Sequence, residues 1–132
     1  MTVQKVYRRL RVDENVRDGL KAKDQDADKS VLDHIKNGSR FGFRSQYITC
    51  CKIKDAVKAW VELGQRRRPD LPVKVVEIDV TRLERNENVR ALDMTNTETA
   101  NNYIHEDEIA RRFAREYLEV LIIGKIPRES VK

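Results

Sequence analysis

The segment Val73-Lys74-Val75-Val76-Glu77-Ile78-Asp79-Val80 constrains the fold of this chain more than any other. It is rich in β-branched residues, follows Pro72, and carries apolar side chains on both of its faces, as an interior strand requires. The segment therefore predicts the middle of a sheet. Partners for it are spread along the chain. Val3 to Val12 alternates with period two, Gln46 to Cys50 is a short β-type run entered from Gly38 and Gly42, and Glu119-Val120-Leu121-Ile122-Ile123 is closed by Gly124 and Pro127. Val89 to Met94 adds a further short strand.

Helical spacing interrupts these strands. Ser30 is placed to cap a short helix carrying Val31, Leu32, His34 and Ile35, with Asn37-Gly38 ending it. Ile53, Ala56, Val57, Trp60 and Leu63 recur at helical period, with Asp55 in the first turn and Gly64 as a stop signal. Gln65-Arg66-Arg67-Arg68-Pro69 then reads as a basic loop. Thr95 to Ile104 is a polar connection of weak helical character, and Ile109, Ala110, Phe113, Ala114 and Tyr117 form a second amphipathic helix. Strands separated by helices over 132 residues predict one α+β domain, residues 1–132, with helices flanking the sheet.

Charged residues make up 37% and hydrophobic ones 39%, polar for a globular protein but not the composition of a disordered one. The 27 Lys and Arg outnumber the 22 Asp and Glu, so the net charge of +5 suits an anionic partner, whether dinucleotide, nucleic acid or acidic protein, without choosing among them. No apolar run approaches the roughly 20 residues of a membrane span, and Met1 to Arg11 lacks a signal-peptide core, so no membrane partner is expected. An intracellular, cytoplasmic setting is the simplest inference. A secreted effector domain would carry the same features. Cys50 and Cys51 are adjacent and do not close a loop as a disulfide, and His34 and His105 have no metal-ligand spacing, so no metal site is expected.

Four stretches carry candidate chemistry. Under period-two geometry Arg8 points the way Val6, Leu10 and Val12 point. An arginine on a core face needs a carboxylate partner or an anionic ligand, unless the strand ends early and leaves it in solvent. Thr49-Cys50-Cys51 places a hydroxyl and two thiols at a strand end, and Glu119 opens the last strand. Ser39-Arg40-Phe41-Gly42-Phe43-Arg44 interleaves arginines with aromatics, a mixture that holds a nucleotide or plugs a core. Asp13 to Asp28 is charged and reads as a short helix or turn with little chemistry, and His34 reads as a packed or surface residue.

The order of Val6-Tyr7-Arg8, then Tyr47-Ile48-Thr49-Cys50-Cys51, then Glu119-Val120-Leu121-Ile122 resembles the mono-ADP-ribosyltransferase superfamily, in its arginine, serine, glutamate branch that includes many bacterial toxins. The resemblance implies a split, mostly antiparallel sheet. It also implies NAD as substrate, with Arg8 holding its phosphates or ribose, Thr49 supporting Glu119, and Glu119 binding the nicotinamide ribose as the catalytic carboxylate. Tyr47 or Phe43 would stack on nicotinamide. Thr49-Cys50-Cys51 stands where the branch has Ser-Thr-Ser, and Tyr117 stands two residues before Glu119, where arginine-modifying members have a second glutamate. The acceptor, protein or nucleic acid, is open. Two other readings stay beside this one: a catalytically silent interaction module of the same fold, and a basic nucleic-acid-binding domain resting on net charge, Arg66 to Arg68 and Arg111-Arg112.

Overall fold

A computed structural model describes residues 5–11, 13–37, 42–67, 74–83, 85 and 88–132, with the backbone alone for 59, 60 and 63–67. Strands β1 (Lys5–Arg9), β2 (Tyr47–Cys51), β3 (Val75–Asp79), β4 (Arg90–Asp93) and β5 (Glu119–Ile123) form one sheet of order β3-β1-β2-β5-β4, every neighbouring pair antiparallel. β1 and β3 pair in full, as do β2 and β5, but β1 and β2 meet in register only at Tyr7↔Cys51. The sheet is split there. One half is β3-β1 and the other β2-β5-β4.

β3 lies at the edge of the sheet, not in its middle. Its apolar residues on two faces have another cause. Val76 and Ile78 are buried in the main core, while Val75 packs against a cluster carried by the helix on the opposite face. Burial of both faces is thus set by layers above and below the strand and says nothing about neighbours to its sides. The chain's last residues cover its outer edge, with a Val131–Ile78 bridge and two backbone bonds between Glu77 and Lys132 of 3.1 and 2.8 Å.

Helices α1 (Val31–Asn37), α2 (Lys54–Arg67), α3 (Val80–Leu83), α4 (Thr97–Tyr103) and α5 (Glu108–Glu116) complete the domain. Ser30 Oγ accepts from Asp33 N at 3.0 Å, the expected cap, and Asn96 and Asp107 cap α4 and α5 in the same way. The polar connection after Thr95 is thereby a defined helix. α2 continues through Gly64 to Arg67, so Gly64 is no stop. One helical glycine costs about 1 kcal/mol, too little to end a helix already anchored by buried Ala56, Val57 and Val61. Trp60, Leu63 and Arg66 to Arg68, like Ser39 to Phe41, concern side chains or residues outside those described.

Three apolar clusters result. Val6, Ile48, Cys50, Val76, Ile78, Val120 and Ile122 project from one face of the sheet into the largest. On the other face α1, α4 and α5 enclose Leu92 and Leu121, and α2 encloses Cys51. The β2–β5 pair therefore carries one cluster of helices over Leu121 and another over Cys51. Glu119 pairs directly with Cys51.

Candidate active site

Register places the candidates relative to one another. Cys51 pairs with Glu119 and Thr49 with Leu121, so Thr49, Cys51, Glu119 and Leu121 share a face, and Thr49 and Glu119 are diagonal neighbours on it. Arg8 alternates onto the opposite face with Val6 and Leu10, as its spacing predicts, and is 7% exposed. Its guanidinium lies in the split between β1 and β2. There Nη1 donates to the Thr49 carbonyl at 2.6 Å, in place of a strand ladder. Nε and Nη2 bind the two oxygens of Glu14 at 3.3 and 2.9 Å.

Glu14 answers the question that a core-face arginine poses. Its side chain is as enclosed as that of Arg8, and its carboxylate also accepts from Arg11 N at 2.7 Å, which ties the turn after β1. Sequence reading passed over it as part of a charged loop. The signal was the requirement itself, since a buried guanidinium demands a carboxylate and Asp13 and Glu14 are the first acids after the strand.

His34 is the second residue the sequence undervalued. It lies on the buried face of α1, one turn beyond Val31 and beside Ile35. Its Nε2 is 2.7 Å from Thr49 Oγ1 and its Nδ1 2.6 Å from Ser45 Oγ. Burial, then the nearby positive charges of Arg8 and Lys23, push its pKa down to about 4, so the ring is neutral at pH 7. The Tyr47 ring meets His34 edge-on at 5.3 Å, and the Tyr47 hydroxyl donates to Lys29 O at 3.1 Å. Tyr47 is thus fixed against the histidine. The expected bond from Thr49 to Glu119 gives way to the bond with His34, because α1 brings the imidazole directly over the strand.

Glu119 is 2% exposed, and its Oε2 has no hydrogen-bond partner among the described residues. Burial alone raises its pKa from 4.5 to about 8. Leu118 delivers it to the strand from a left-handed turn, φ +46°, locked by Lys52 N donating to Leu118 O at 2.7 Å. A leucine in that region is strained, and such strain is tolerated where a position is functionally fixed. Two residues before Glu119, Tyr117 is half-buried and its ring meets that of Phe113 at a tilt of 53°, with centroids 4.7 Å apart.

A cleft of about 720 Å³ opens over the turn after β1, lined by Arg11, Asp13, Glu14, Asp18, Lys21 and Lys23 and by Phe43 and Arg44. Lys29 Nζ stands 5.8 Å from the Phe43 ring centroid, and Arg44 donates to Lys23 O at 2.7 Å. Of the two aromatic candidates, Phe43 lines this cleft. Of the interleaved stretch, the described Phe43 and Arg44 form part of this wall.

Cys50 and Cys51 are both buried, and burial raises each thiol to about 12. A thiol-specific aromatic disulfide is expected to label neither cysteine of the native protein over the minutes in which it labels both in denaturant. Rapid labelling of either in the folded state would contradict this packing.

No protein-family model matches the sequence, and no curated protein matches it. Among solved structures the chain is similar to EcPltA, an ADP-ribosyltransferase toxin subunit, with a TM-score of 0.65 at 15% identity over 98% of this chain and 73% of that one. At that identity the likeness establishes the architecture. The fold is α+β and ADP-ribosyltransferase-like, with a split antiparallel sheet flanked by helices.

Proposed function

We propose that this domain cleaves NAD at the bond between nicotinamide and ribose, passing ADP-ribose to water or to an acceptor. The observation that carries the reading is the convergence of Thr49, with His34 behind it, and Glu119 on one face of the β2–β5 pair, in a fold like that of an ADP-ribosyltransferase toxin subunit. In the reaction the C1′–N1 bond breaks and its electron pair leaves with neutral nicotinamide. The sugar becomes oxocarbenium-like, and an incoming oxygen forms the new bond to C1′ and gives up its proton. A carboxylate held at the 2′-hydroxyl stabilises the positive charge that develops. Glu119 is assigned that role.

The cleft supports the same reading. Arg11, Lys21, Lys23 and Arg44 line it together with Asp13, Glu14 and Asp18, and with Glu14 paired to Arg8 the cations outnumber the remaining acids, which suits a dinucleotide diphosphate. Burial and the neighbouring Arg11, Arg8 and Arg44 lower the pKa of Lys23, against the opposing pull of Asp13. Arg8 acts from beneath, since its guanidinium is committed to Glu14 and the Thr49 carbonyl and thereby fixes the strand that carries Thr49. Tyr117 offers no carboxylate two residues before Glu119, so water or a non-guanidine group is the favoured acceptor.

Incubation of the purified chain with NAD, read by chromatography of nicotinamide, tests the proposal. Release above the rate in buffer is the expected result. Absence of both nicotinamide release and NAD binding by calorimetry would leave the interaction-module reading, and nucleic-acid affinity that falls steeply with salt would favour the third.

A further inference from the structure

We infer that Ser45 is a positioning residue: it donates its hydroxyl proton to His34 Nδ1, holds the ring as the Nε2–H tautomer, and so makes Thr49 a hydrogen-bond donor on the face it shares with Glu119. A neutral imidazole has one N–H and one lone pair, and a hydroxyl has one proton to give and two lone pairs to offer. His34 is buried between two hydroxyls, Ser45 Oγ at 2.6 Å from Nδ1 and Thr49 Oγ1 at 2.7 Å from Nε2, so each ring nitrogen has one partner and the tautomer sets the direction of both bonds.

Ser45 decides the direction. It is 3% exposed, and among the described residues its hydroxyl has two partners, His34 Nδ1 and Tyr47 N at 3.4 Å. Tyr47 N is a donor. If Nδ1 also carried a proton, two N–H groups would point at Ser45 Oγ and the serine proton would have no acceptor, which in a buried hydroxyl costs free energy. With Nδ1 unprotonated, Ser45 accepts from Tyr47 N and donates to the ring, and every polar group in the pair is satisfied. The ring proton then sits on Nε2 and points at Thr49.

Thr49 Oγ1 accordingly accepts from His34, and its own proton is left to donate elsewhere. Glu119 shares its face as a diagonal neighbour across the strand pair, and its Oε2 has no partner among the described residues. On the NAD reading, which the functional consequence rests on, Thr49 therefore offers a hydrogen bond to an oxygen of the substrate, and His34 is no base toward Thr49. Bonds aligned head to tail in this way polarise one another, which strengthens Thr49 as a donor. The charges facing His34 are those of Arg8 and Lys23, and both favour the neutral ring.

The test needs no NAD, so its failure and that of the enzyme reading are separable. Long-range nitrogen–proton correlation spectra of the ¹⁵N-histidine-labelled protein at pH 7 report which ring nitrogen of His34 carries the proton. The expected result is Nε2–H, and Nδ1–H would overturn the inference. A titration of Ser45→Ala gives a second decision by sign. A hydroxyl that donates to Nδ1 stabilises only the neutral ring, so its loss is expected to raise the His34 pKa. A hydroxyl that accepts from Nδ1–H stabilises the charged ring more, so a fall, or no change, would overturn the assignment. Ser45→Thr keeps the hydroxyl and is expected to restore the wild-type titration. Should Ser45→Ala fail to fold, the wild-type spectrum still decides.

Discussion

Replacing Glu119 with glutamine is expected to cut nicotinamide release by roughly a hundredfold or more, leave NAD binding largely intact, and stabilise the protein at pH 8. The first effect is read above pH 8, where the folded carboxyl ionises, and follows from removing the carboxylate that stabilises the transition state. The last follows from burial. The glutamate titrates near 4.5 when unfolded and at about 8 when folded, so below pH 4.5 it is neutral in both states and costs nothing. As pH rises towards 8 the unfolded chain ionises while the folded one keeps its proton, and the stability present at low pH is progressively lost. Glutamine has no such loss. Urea midpoints of wild type and Glu119→Gln should therefore coincide near pH 4 and separate in favour of the variant towards pH 8. A gap that does not change with pH would refute a buried, unpartnered carboxyl. Equal turnover in the two proteins would refute its catalytic role. A site residue that weakens its own fold is a common compromise between stability and activity.

Arg8→Ala is expected to act chiefly on the fold, lowering stability by about 3 kcal/mol, because it leaves the enclosed carboxylate of Glu14 with only the more distant Arg11 Nε, 3.9 Å away, as counter-charge. It also frees the Thr49 carbonyl in the split of the sheet. Denaturant midpoints measure the loss. Glu14→Ala should cost a comparable amount, and the double substitution less than the sum, since neither charge is then left alone. Additive effects would show that Arg8 and Glu14 act independently. Loss of NAD binding with unchanged midpoints would return Arg8 to the direct phosphate contact that the family resemblance implies.

Much of the architecture was legible because it rests on local rules. The strands at Lys5–Arg9, Tyr47–Cys51 and Glu119–Ile123 and the capped helix after Ser30 follow from period, β-branching and a hydroxyl before an apolar face. The core-facing direction of Arg8 followed from alternation alone. Strand order did not, because apolar residues on both faces of Val75–Asp79 record the layers that cover it and are the same whether one strand or two flank it. Gly64 was misread as a stop because a propensity of about 1 kcal/mol yields to packing.

The candidate site divides in the same way. By itself the sequence determined which residue types had to be accounted for: an arginine on a core face, a hydroxyl at a strand end and a glutamate opening the last strand. Only the tertiary structure decided their partners. Glu14 reaches Arg8 across a turn, Ser45 just before β2 and Thr49 on it reach His34 on α1, and Glu119 is buried with no partner for Oε2 among the described residues. Each of these depends on where separate elements come to rest. Hydrogen bonds act over about 3 Å, a distance that periodicity along one strand or helix cannot specify between two of them.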